Sequence, residues 1–270
     1  CRTLDDLIAE RKPQDYFPYE DTLTAKIQGK LMQYYDLMSE GRRQSRQDKQ
    51  IIQELVSDIS HQVKTPMANL QMFMGILQSH DLSAGKRREF MDTMSGQINK
   101  LDFLLQSLIK MSRLETGTFA LHIERTSLYD TIAQALNAIW ARAEVKQIQL
   151  SVECDNSITA RHDARWTAEA LGNVLDNAVK YTPAGGSIRI SVRPWQFYTR
   201  VDITDTGMGI PEEQCNQVFK RFWRSEAAAA QEGVGLGLYL AQEIVTRQRG
   251  YISVKSVAGE GTTFSVYLLT

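Results

Sequence analysis

Side chains that are mostly apolar recur at steps of three and four residues over two long stretches in the first half of the chain. A helical pattern begins near Glu20, crosses a polar run at residues 42–50, and continues to about residue 77. A second stretch covers residues 86–115. This spacing is typical of amphipathic helices that pack against other helices. The two stripes consist of Ile52, Leu55, Ile59, Gln62, Pro66, Leu70, Phe73 and Leu77, and of Phe90, Met94, Ile98, Leu101, Leu105, Leu108 and Met111.

A short run of turn-forming residues separates the two predicted helices. Asp81, Ser83 and Gly85 lie between them, so we expect an antiparallel hairpin. A single hairpin buries two apolar stripes poorly, whereas two hairpins together form a four-helix bundle. The pattern therefore predicts a homodimer. The alternative is a monomer whose stripes pack on the rest of the chain.

Shorter elements follow the break at Thr116 and Gly117. A helix capped by Ser127 runs to about residue 143, and further helices are expected at 162–180 and 233–249. Strands are expected at 119–124, 148–152, 187–192, 197–204, 251–257 and 262–268. Irregular alternation of strands and helices, ending on consecutive strands, predicts an α+β sandwich whose mixed sheet is covered by helices on one face.

The predicted domains are a connector helix at 1–48, a helical hairpin at 49–116 and an α/β domain at 117–270. The length of 270 residues agrees with about two domains. A net charge of −1 provides no general attraction to nucleic acid, and no partner of that kind is expected. Three scattered cysteines argue against a disulfide framework or a zinc site. No apolar run is long enough to cross a bilayer, and the start at Cys1 suggests a piece of a longer protein.

His61 lies in the segment Ser60-His61-Gln62-Val63-Lys64-Thr65-Pro66, within the first helical stretch. Its position beside the apolar stripe predicts a ring that reaches solvent. Pro66 removes one backbone hydrogen bond and should loosen the preceding turn. A lone histidine on a helix is usually not catalytic, so the significance of His61 depends on a second group of residues.

Asn173 and Asn177 are one helical turn apart and share a face of the predicted helix at 162–180. Buried amides need hydrogen-bond partners. Asparagine carbonyl oxygens suit Mg²⁺ and phosphate-bound water, and Lys180 would add a positive charge near Asn177. The pair would nevertheless be structural in many proteins.

Three later segments complete the group. Residues 205–210 (Asp-Thr-Gly-Met-Gly-Ile) follow a strand, and Asp205 could accept a hydrogen bond from an exocyclic amine, although such a loop could also be a hairpin turn or a calcium-like loop. Residues 219–224 alternate aromatic and basic side chains, as a nucleic-acid contact or a mobile lid would. Residues 233–238 carry three glycines before a helix, where free backbone amides can bind phosphate. We expect residues 211–232 to form a lid over a nucleotide.

The order of these segments resembles the sensor histidine kinases of two-component systems. Their adenine-nucleotide fold is also found in gyrase, Hsp90 and MutL. The resemblance covers about residues 50–270 and rests on the histidine segment at 60–66, the asparagine segment at 173–181, and the glycine-rich and aromatic segments after them. Residues 1–50 resemble only generically the helical connectors that follow a membrane span in such kinases.

The resemblance implies ATP and Mg²⁺ as cofactors, with Asn177 as the Mg²⁺ ligand. Asn173, Lys180 and Arg221 would contact the phosphates, Tyr181 the base or ribose, and Asp205 the adenine amine. Five glycines would shape the pocket floor and lid: Gly207, Gly209, Gly233, Gly235 and Gly237. His61 would take the γ-phosphoryl group and pass it to an aspartate of a response regulator receiver domain. The whole protein is expected to be membrane-anchored upstream of residue 1, with this region in the cytoplasm.

One residue departs from the family pattern. The position after the histidine is usually Glu or Asp, which orients the imidazole and assists proton removal, and here it is Gln62. The amide oxygen can accept from a ring N–H but cannot take a proton. We therefore expect phosphorylation of His61 to persist with a weaker response to pH. Thr65 occupies the family's phosphatase position, although without a charge at Gln62 the phosphatase strength is not predicted.

Two other functions fit part of the pattern. The chain could be an ATP-driven conformational clamp like gyrase or Hsp90, or a dimeric scaffold with a degenerate nucleotide pocket. ATP binding separates the scaffold from the other two, and a label on His61 separates the kinase from the clamp.

Overall fold

The computed structural model describes residues 22–79, 82–115, 121–225 and 233–270. Several predicted features lie partly or wholly outside these ranges: the first 21 residues of the connector helix expected at 1–48, the break at residues 116–117, the first two residues of the strand expected at 119–124, and part of the lid. The chain divides into two compact units, Cys1–Thr65 and Pro66–Thr270, which are described separately. Within the described residues, no helix has both the length and the apolarity that a bilayer crossing requires.

Two long helices form the first part of the chain that the structure describes, as the periodicity predicts. Helix α1 spans Leu23–Ser79 and continues through the polar run and through Pro66. Helix α2 spans Ala84–Glu115 and begins after Ser83, whose hydroxyl accepts a hydrogen bond from the Lys86 amide at 3.5 Å. Since Pro66 has no N–H, it cannot donate to the Gln62 carbonyl. The helix therefore lacks one backbone bond next to the histidine segment.

The C-terminal part of the hairpin packs on itself and on the α/β region. The rings of Phe73 and Phe90 lie 5.4 Å apart, centroid to centroid. Leu104 and Met111 are buried, and the Lys110 ammonium forms an ion pair with Glu169 at 2.5 Å. By contrast Ile98 and Leu105, two members of the predicted stripe, are more than half exposed in the single chain.

The described residues of the α/β region form four further α-helices, one short 3-10 helix at Glu212–Gln214 and seven strands. Helices are α3 (Leu128–Asn137), α4 (Trp140–Val145), α5 (Ala164–Tyr181) and α6 (Gly237–Arg247). Strands are β1 (Glu124–Ser127), β2 (Gln149–Glu153), β3 (Thr159–His162), β4 (Ser187–Pro194), β5 (Tyr198–Asp205), β6 (Tyr251–Val257) and β7 (Gly261–Leu269).

The strands form one mixed sheet in the order β1-β3-β7-β5-β4-β2, and β6 also pairs with β7. Only the β2–β4 pair is parallel among the described strands. Ile188 and Ile190 of β4 are buried while the intervening Arg189 is exposed, so one face of the strand packs against the core. The predicted α+β fold with a mixed sheet is confirmed.

Several element boundaries differ from the expectation. Residues 121–123, expected to be in a strand, are not, and strand β1 runs instead over Glu124–Ser127. The helix capped by Ser127 breaks after Asn137, and α4 begins at Trp140. His162, expected to open the helix at 162–180, is instead the last residue of strand β3, and Asp163 then caps α5 by accepting from the Trp166 amide at 3.0 Å. Helix α6 begins at Gly237 rather than Gly233, because the left-handed φ of Gly235 (79°) is incompatible with a helix.

Candidate functional site

A cleft of about 1510 Å³ lies within the second unit, between α5, the loop after β5, the segment before α6, and α2. Nine of the residues singled out by the sequence line it: Asn173, Asn177, Lys180, Tyr181, Asp205, Gly209, Gly233, Gly235 and Gly237. The fold thus brings together segments that are up to 64 residues apart in the chain (237 − 173).

Helix α5 presents its polar residues to the cleft because its apolar face is buried in the core. Leu171, Val174 and Ala178 are at most 2% exposed. The Asn173 amide nitrogen donates to the Glu169 carbonyl at 3.0 Å. A β-carbon at Gly237 would lie 3.2 Å from Asn173 Oδ1, so glycine lets the start of α6 approach this amide closely.

The last two residues of α5 lie together at the wall of the cleft. The Lys180 ammonium is 4.9 Å from the centre of the Tyr181 ring, and a β-carbon at Gly233 would lie 2.6 Å from Lys180 Nζ. Burial raises the pKa of the Tyr181 hydroxyl, and the nearby Arg224 opposes that shift. A positive charge and an aromatic face therefore stand side by side.

Asp205 ends β5 with a buried carboxyl group. Burial raises the pKa of this carboxyl to about 6, while hydrogen bonds from the Gly207 and Thr262 backbones act against the shift. The Gly207 amide donates to Asp205 Oδ1 at 2.8 Å. At neutral pH the group is mostly a carboxylate, which can accept a hydrogen bond from a ligand in the cleft.

Gly207 has a packing role that the sequence did not indicate. It does not line the cleft. A β-carbon at this position would lie 2.8 Å from the Tyr181 carbonyl oxygen, so the Asp205 loop rests directly on the end of α5. Gly209 does line the cleft, and its φ of 68° together with close contact to the Val257 carbonyl requires glycine.

The aromatic and basic segment packs against the glycine-rich segment. The Phe222 amide donates to the Gly235 carbonyl at 2.9 Å, and a β-carbon at Gly235 would lie 2.7 Å from the Trp223 carbonyl oxygen. The Arg221 guanidinium lies over the Tyr239 ring, 5.1 Å from its centre, and does not line the cleft. Arg224 lines it instead.

Sequence reasoning missed several lining residues. Arg224 is three residues beyond Arg221 in the same segment, and alternation alone could not decide between them. Asp176 of α5 lines the cleft and forms an ion pair with Arg142 of α4. Asn99 and Lys100 of α2 also line it, and no pattern in the sequence brings that helix to the cleft.

Residues 60–65 of the histidine segment belong to the first unit. His61 is exposed, as its position beside the stripe predicts, and Gln62 is half-buried. The Thr65 hydroxyl donates to the His61 carbonyl at 3.4 Å, a bond common for threonine within helices. The histidine segment thus has an accessible imidazole and a locally weakened backbone.

Two family models match the chain. Residues 51–117 match the His Kinase A (phospho-acceptor) domain, and residues 162–270 match the histidine kinase-, DNA gyrase B- and HSP90-like ATPase. The first match contains His61, Gln62 and Thr65, and the second contains the predicted residues of the cleft.

Individual proteins show the same similarity. The chain is 31% identical over 225 residues to Drug sensory protein A of Synechocystis, covering 78% of this chain and 34% of that protein. Histidine kinase AdeS of Acinetobacter baumannii has a similar structure, with a TM-score of 0.62, 22% identity, and coverage of 77% of this chain and 97% of that one.

A crystal structure of histidine kinase ThkA in complex with the response regulator protein TrrA matches with a TM-score of 0.70 and 19% identity, over 86% of this chain and 66% of that one. The chain spans 27% to 62% of the length of the curated relatives that it matches. With a phospho-acceptor match around His61 and an ATPase match around the cleft, the chain belongs to the family of sensor histidine kinases.

Proposed function

We propose that the chain uses ATP to phosphorylate His61 and then transfers the phosphoryl group to an aspartate of a response regulator. The observation that carries the proposal is the combination of an exposed imidazole in the phospho-acceptor segment with a cleft lined by Asn173, Asn177, Lys180, Tyr181 and Asp205. The phospho-acceptor match also disfavours the clamp, which would need no such histidine.

Asp205 and Tyr181 would hold the adenosine part of ATP. The Asp205 carboxylate would accept a hydrogen bond from the exocyclic amine of adenine, and its raised pKa still leaves it charged at neutral pH. The Tyr181 ring offers a flat surface for the base or the ribose. Gly207 and Gly209 shape this end of the cleft by allowing close backbone packing.

Asn173 and Lys180 would contact the phosphates, together with the backbone around Gly233, Gly235 and Gly237. Arg224 also lines the cleft and would add a second positive charge for the phosphates. Arg221 is a further basic candidate, and it would need to leave its stacking position on Tyr239.

Asn177 would be the protein's ligand for Mg²⁺. Across the described ranges, no group of three His, Cys, Asp or Glu side chains is arranged to hold a metal ion. A single amide oxygen in a phosphate-binding cleft fits Mg²⁺, which commonly takes most of its ligands from phosphates and water. When bound, Mg²⁺ would neutralise phosphate charge during transfer.

The chemistry at His61 is a direct phosphoryl transfer. An unprotonated imidazole nitrogen forms a bond to the γ-phosphorus while the bond to the bridging oxygen of ADP breaks. Gln62 can accept a hydrogen bond from the other ring N–H and fix the tautomer, but it cannot remove a proton. A phosphatase role for Thr65 would require its hydroxyl to leave the His61 carbonyl.

The partners follow from the same proposal. A homodimer would cover apolar side chains that α2 leaves exposed, and a receiver domain would supply the acceptor aspartate. The complex of ThkA with its response regulator supports the second partner by analogy. A membrane anchor upstream of residue 1 and a cytoplasmic location for this region rest on the family resemblance alone.

The test is phosphate labelling with γ-labelled ATP in His61→Ala. We expect an acid-labile, base-stable label in the unchanged chain and none in the variant, with ATP affinity preserved. The matched control is His122→Ala, since His122 is also exposed and lies outside the phospho-acceptor match. Label that persists in His61→Ala, or absence of ATP binding in the unchanged chain, would contradict the proposal.

A further inference from the structure

Lys146, at the end of α4, binds three backbone carbonyl oxygens at the C-terminal end of α5. Its ammonium donates to Val179 at 2.9 Å, to Lys180 at 2.9 Å and to Thr182 at 3.2 Å. An ammonium group has three N–H donors, so all of them are used. Lys146 lines the cleft, yet its donors are committed to the protein backbone.

The sequence of α5 explains why an external donor is needed. In an α-helix the Val179 carbonyl would accept from the amide four residues later, and that residue is Pro183, which has no N–H. Thr182, which precedes the proline, is already extended (φ −78°, ψ 131°), so the helix ends there. Lys146 supplies the missing donor, and its charge suits the negative end of the helix dipole.

The carbonyls held by Lys146 flank the residues that face the cleft. Lys180 and Tyr181 are the last two residues of α5. The Tyr181 carbonyl, between the bound carbonyls, contacts Gly207, which carries the loop of Asp205. The position of one lysine ammonium is therefore connected to three groups of the cleft: the Lys180 ammonium, the Tyr181 ring and the Asp205 carboxylate.

We propose that Lys146 is a positioning residue for nucleotide binding, which acts by fixing the last turn of α5 and does not itself contact the nucleotide. This inference rests on the proposed function, since it assigns Lys180, Tyr181 and Asp205 to ATP. Removal of the ammonium frees the end of α5, so part of the binding energy is used to order it. Chemistry at His61 then proceeds at its normal rate once ATP is bound.

The backbone around Lys146 is held independently of its side chain. The Gly185 amide donates to the Lys146 carbonyl at 3.0 Å, and the Gln149 amide donates to the Gly186 carbonyl at 2.8 Å. These bonds keep the two segments side by side when the side chain is changed. We therefore expect variants at this position to fold.

The test compares Lys146→Met, which keeps the chain length but removes the charge, with Lys146→Arg. In Lys146→Met we expect the Kd for ADP with Mg²⁺ and the KM for ATP to rise about tenfold, while the maximal labelling rate of His61 stays within twofold. Amide hydrogen exchange should accelerate at residues 180–182. The Kd and KM of Lys146→Arg should lie between those of the unchanged chain and those of Lys146→Met. A planar guanidinium cannot direct three N–H groups at these carbonyls as an ammonium does.

The matched control is Lys255→Met on the exposed side of β6, which should leave both constants unchanged. An unchanged Kd in Lys146→Met, or a loss confined to the maximal rate, would overturn the inference. If Lys146→Met fails to fold, the test rests on the Kd for ADP measured in Lys146→Arg. A Kd equal to that of the unchanged chain would then overturn the inference. Failure of the unchanged chain to bind ADP or ATP would instead overturn the proposed function.

Discussion

Helices α2 and α5 are both amphipathic, but they differ in how completely one chain covers their apolar side. On α5, Ala170, Leu171 and Val174 are at most 1% exposed. On α2, Met91, Ile98 and Leu105 are spaced seven residues apart and are each about 54% exposed. Helix α5 belongs to a core that a single chain completes, whereas α2 keeps an apolar stripe that requires another surface.

This difference assigns two requirements of the proposed reaction, nucleotide binding and self-association, to different helices. A nucleotide cleft needs rigid walls, and its walls on α5 and β5 are built on a core that the chain supplies by itself. The stripe on α2 has coiled-coil spacing and would be completed by a second copy. Nucleotide affinity and self-association should therefore be separable by mutation.

The largest effect is expected from charges placed on the exposed stripe. In the double variant Ile98→Glu with Leu105→Glu, dimerisation would bury two pairs of carboxylates, at a cost of several kcal/mol. We expect the dimer dissociation constant, measured by sedimentation equilibrium, to rise about 100-fold or more. ADP affinity should stay within twofold of the unchanged chain.

The control for the stripe is Gln106→Glu, which adds one charge at an exposed polar position of the same helix. It should leave the dissociation constant unchanged. A double variant that dimerises normally would show that the stripe is covered by something other than a second chain. A double variant that loses ADP affinity would show that the two regions are not separable.

A smaller effect, on adenosine affinity, is expected when the Asp205 carboxyl is protonated at low pH. Burial favours the neutral acid and raises the pKa of this carboxyl to about 6. The adenine amine can donate a hydrogen bond to the ionised carboxylate, whereas the proton of the neutral acid would compete for the same oxygen. Adenosine affinity should therefore be constant above about pH 7 and fall about tenfold per pH unit well below pH 6. Adenosine is the suitable probe because it carries no phosphate that titrates in this range.

The control for this titration is Asp205→Asn, which has no proton to gain. Its adenosine affinity should be lower than that of the unchanged chain at pH 7.5 and should not vary with pH. Calorimetry between pH 5 and pH 8 would measure both proteins. A profile that is flat in the unchanged chain would exclude Asp205 as the acceptor of the amine.

The fold was predictable where a local pattern determines it. The period of the apolar residues indicated both long helices, and Ser127 marked the start of α3 correctly because a cap is a local hydrogen bond. Strand β3 was missed because its four residues include a buried histidine, His162, which is hydrogen-bonded to Thr131, 31 residues away in the chain. Burial of such a histidine depends on tertiary structure.

Nine residues that line the cleft were predictable from the sequence, but their arrangement was not, and two predicted residues, Gly207 and Arg221, do not line it. Glycines and amides stood out because their residue types are unusual in those positions. The contact between Gly207 and the Tyr181 carbonyl, and the three bonds of Lys146, join residues that are 26 and 33 or more positions apart. Only the folded chain shows which glycine lines the cleft and which one supports it.

The smallest effect is expected at Gln62, which lies in the first unit and outside the cleft. Gln62→Glu adds a carboxylate that can take a proton from the imidazole, whereas the amide can only orient it. We expect the rate of His61 labelling to rise about threefold or more and to become more dependent on pH, with ADP affinity unchanged. Gln71→Glu, at an exposed position of the same helix, is the matched control and should alter neither quantity. A rate that is unchanged or lower in Gln62→Glu would mean that residue 62 does not assist at the imidazole, and the chemical step would then depend on the nucleotide side alone.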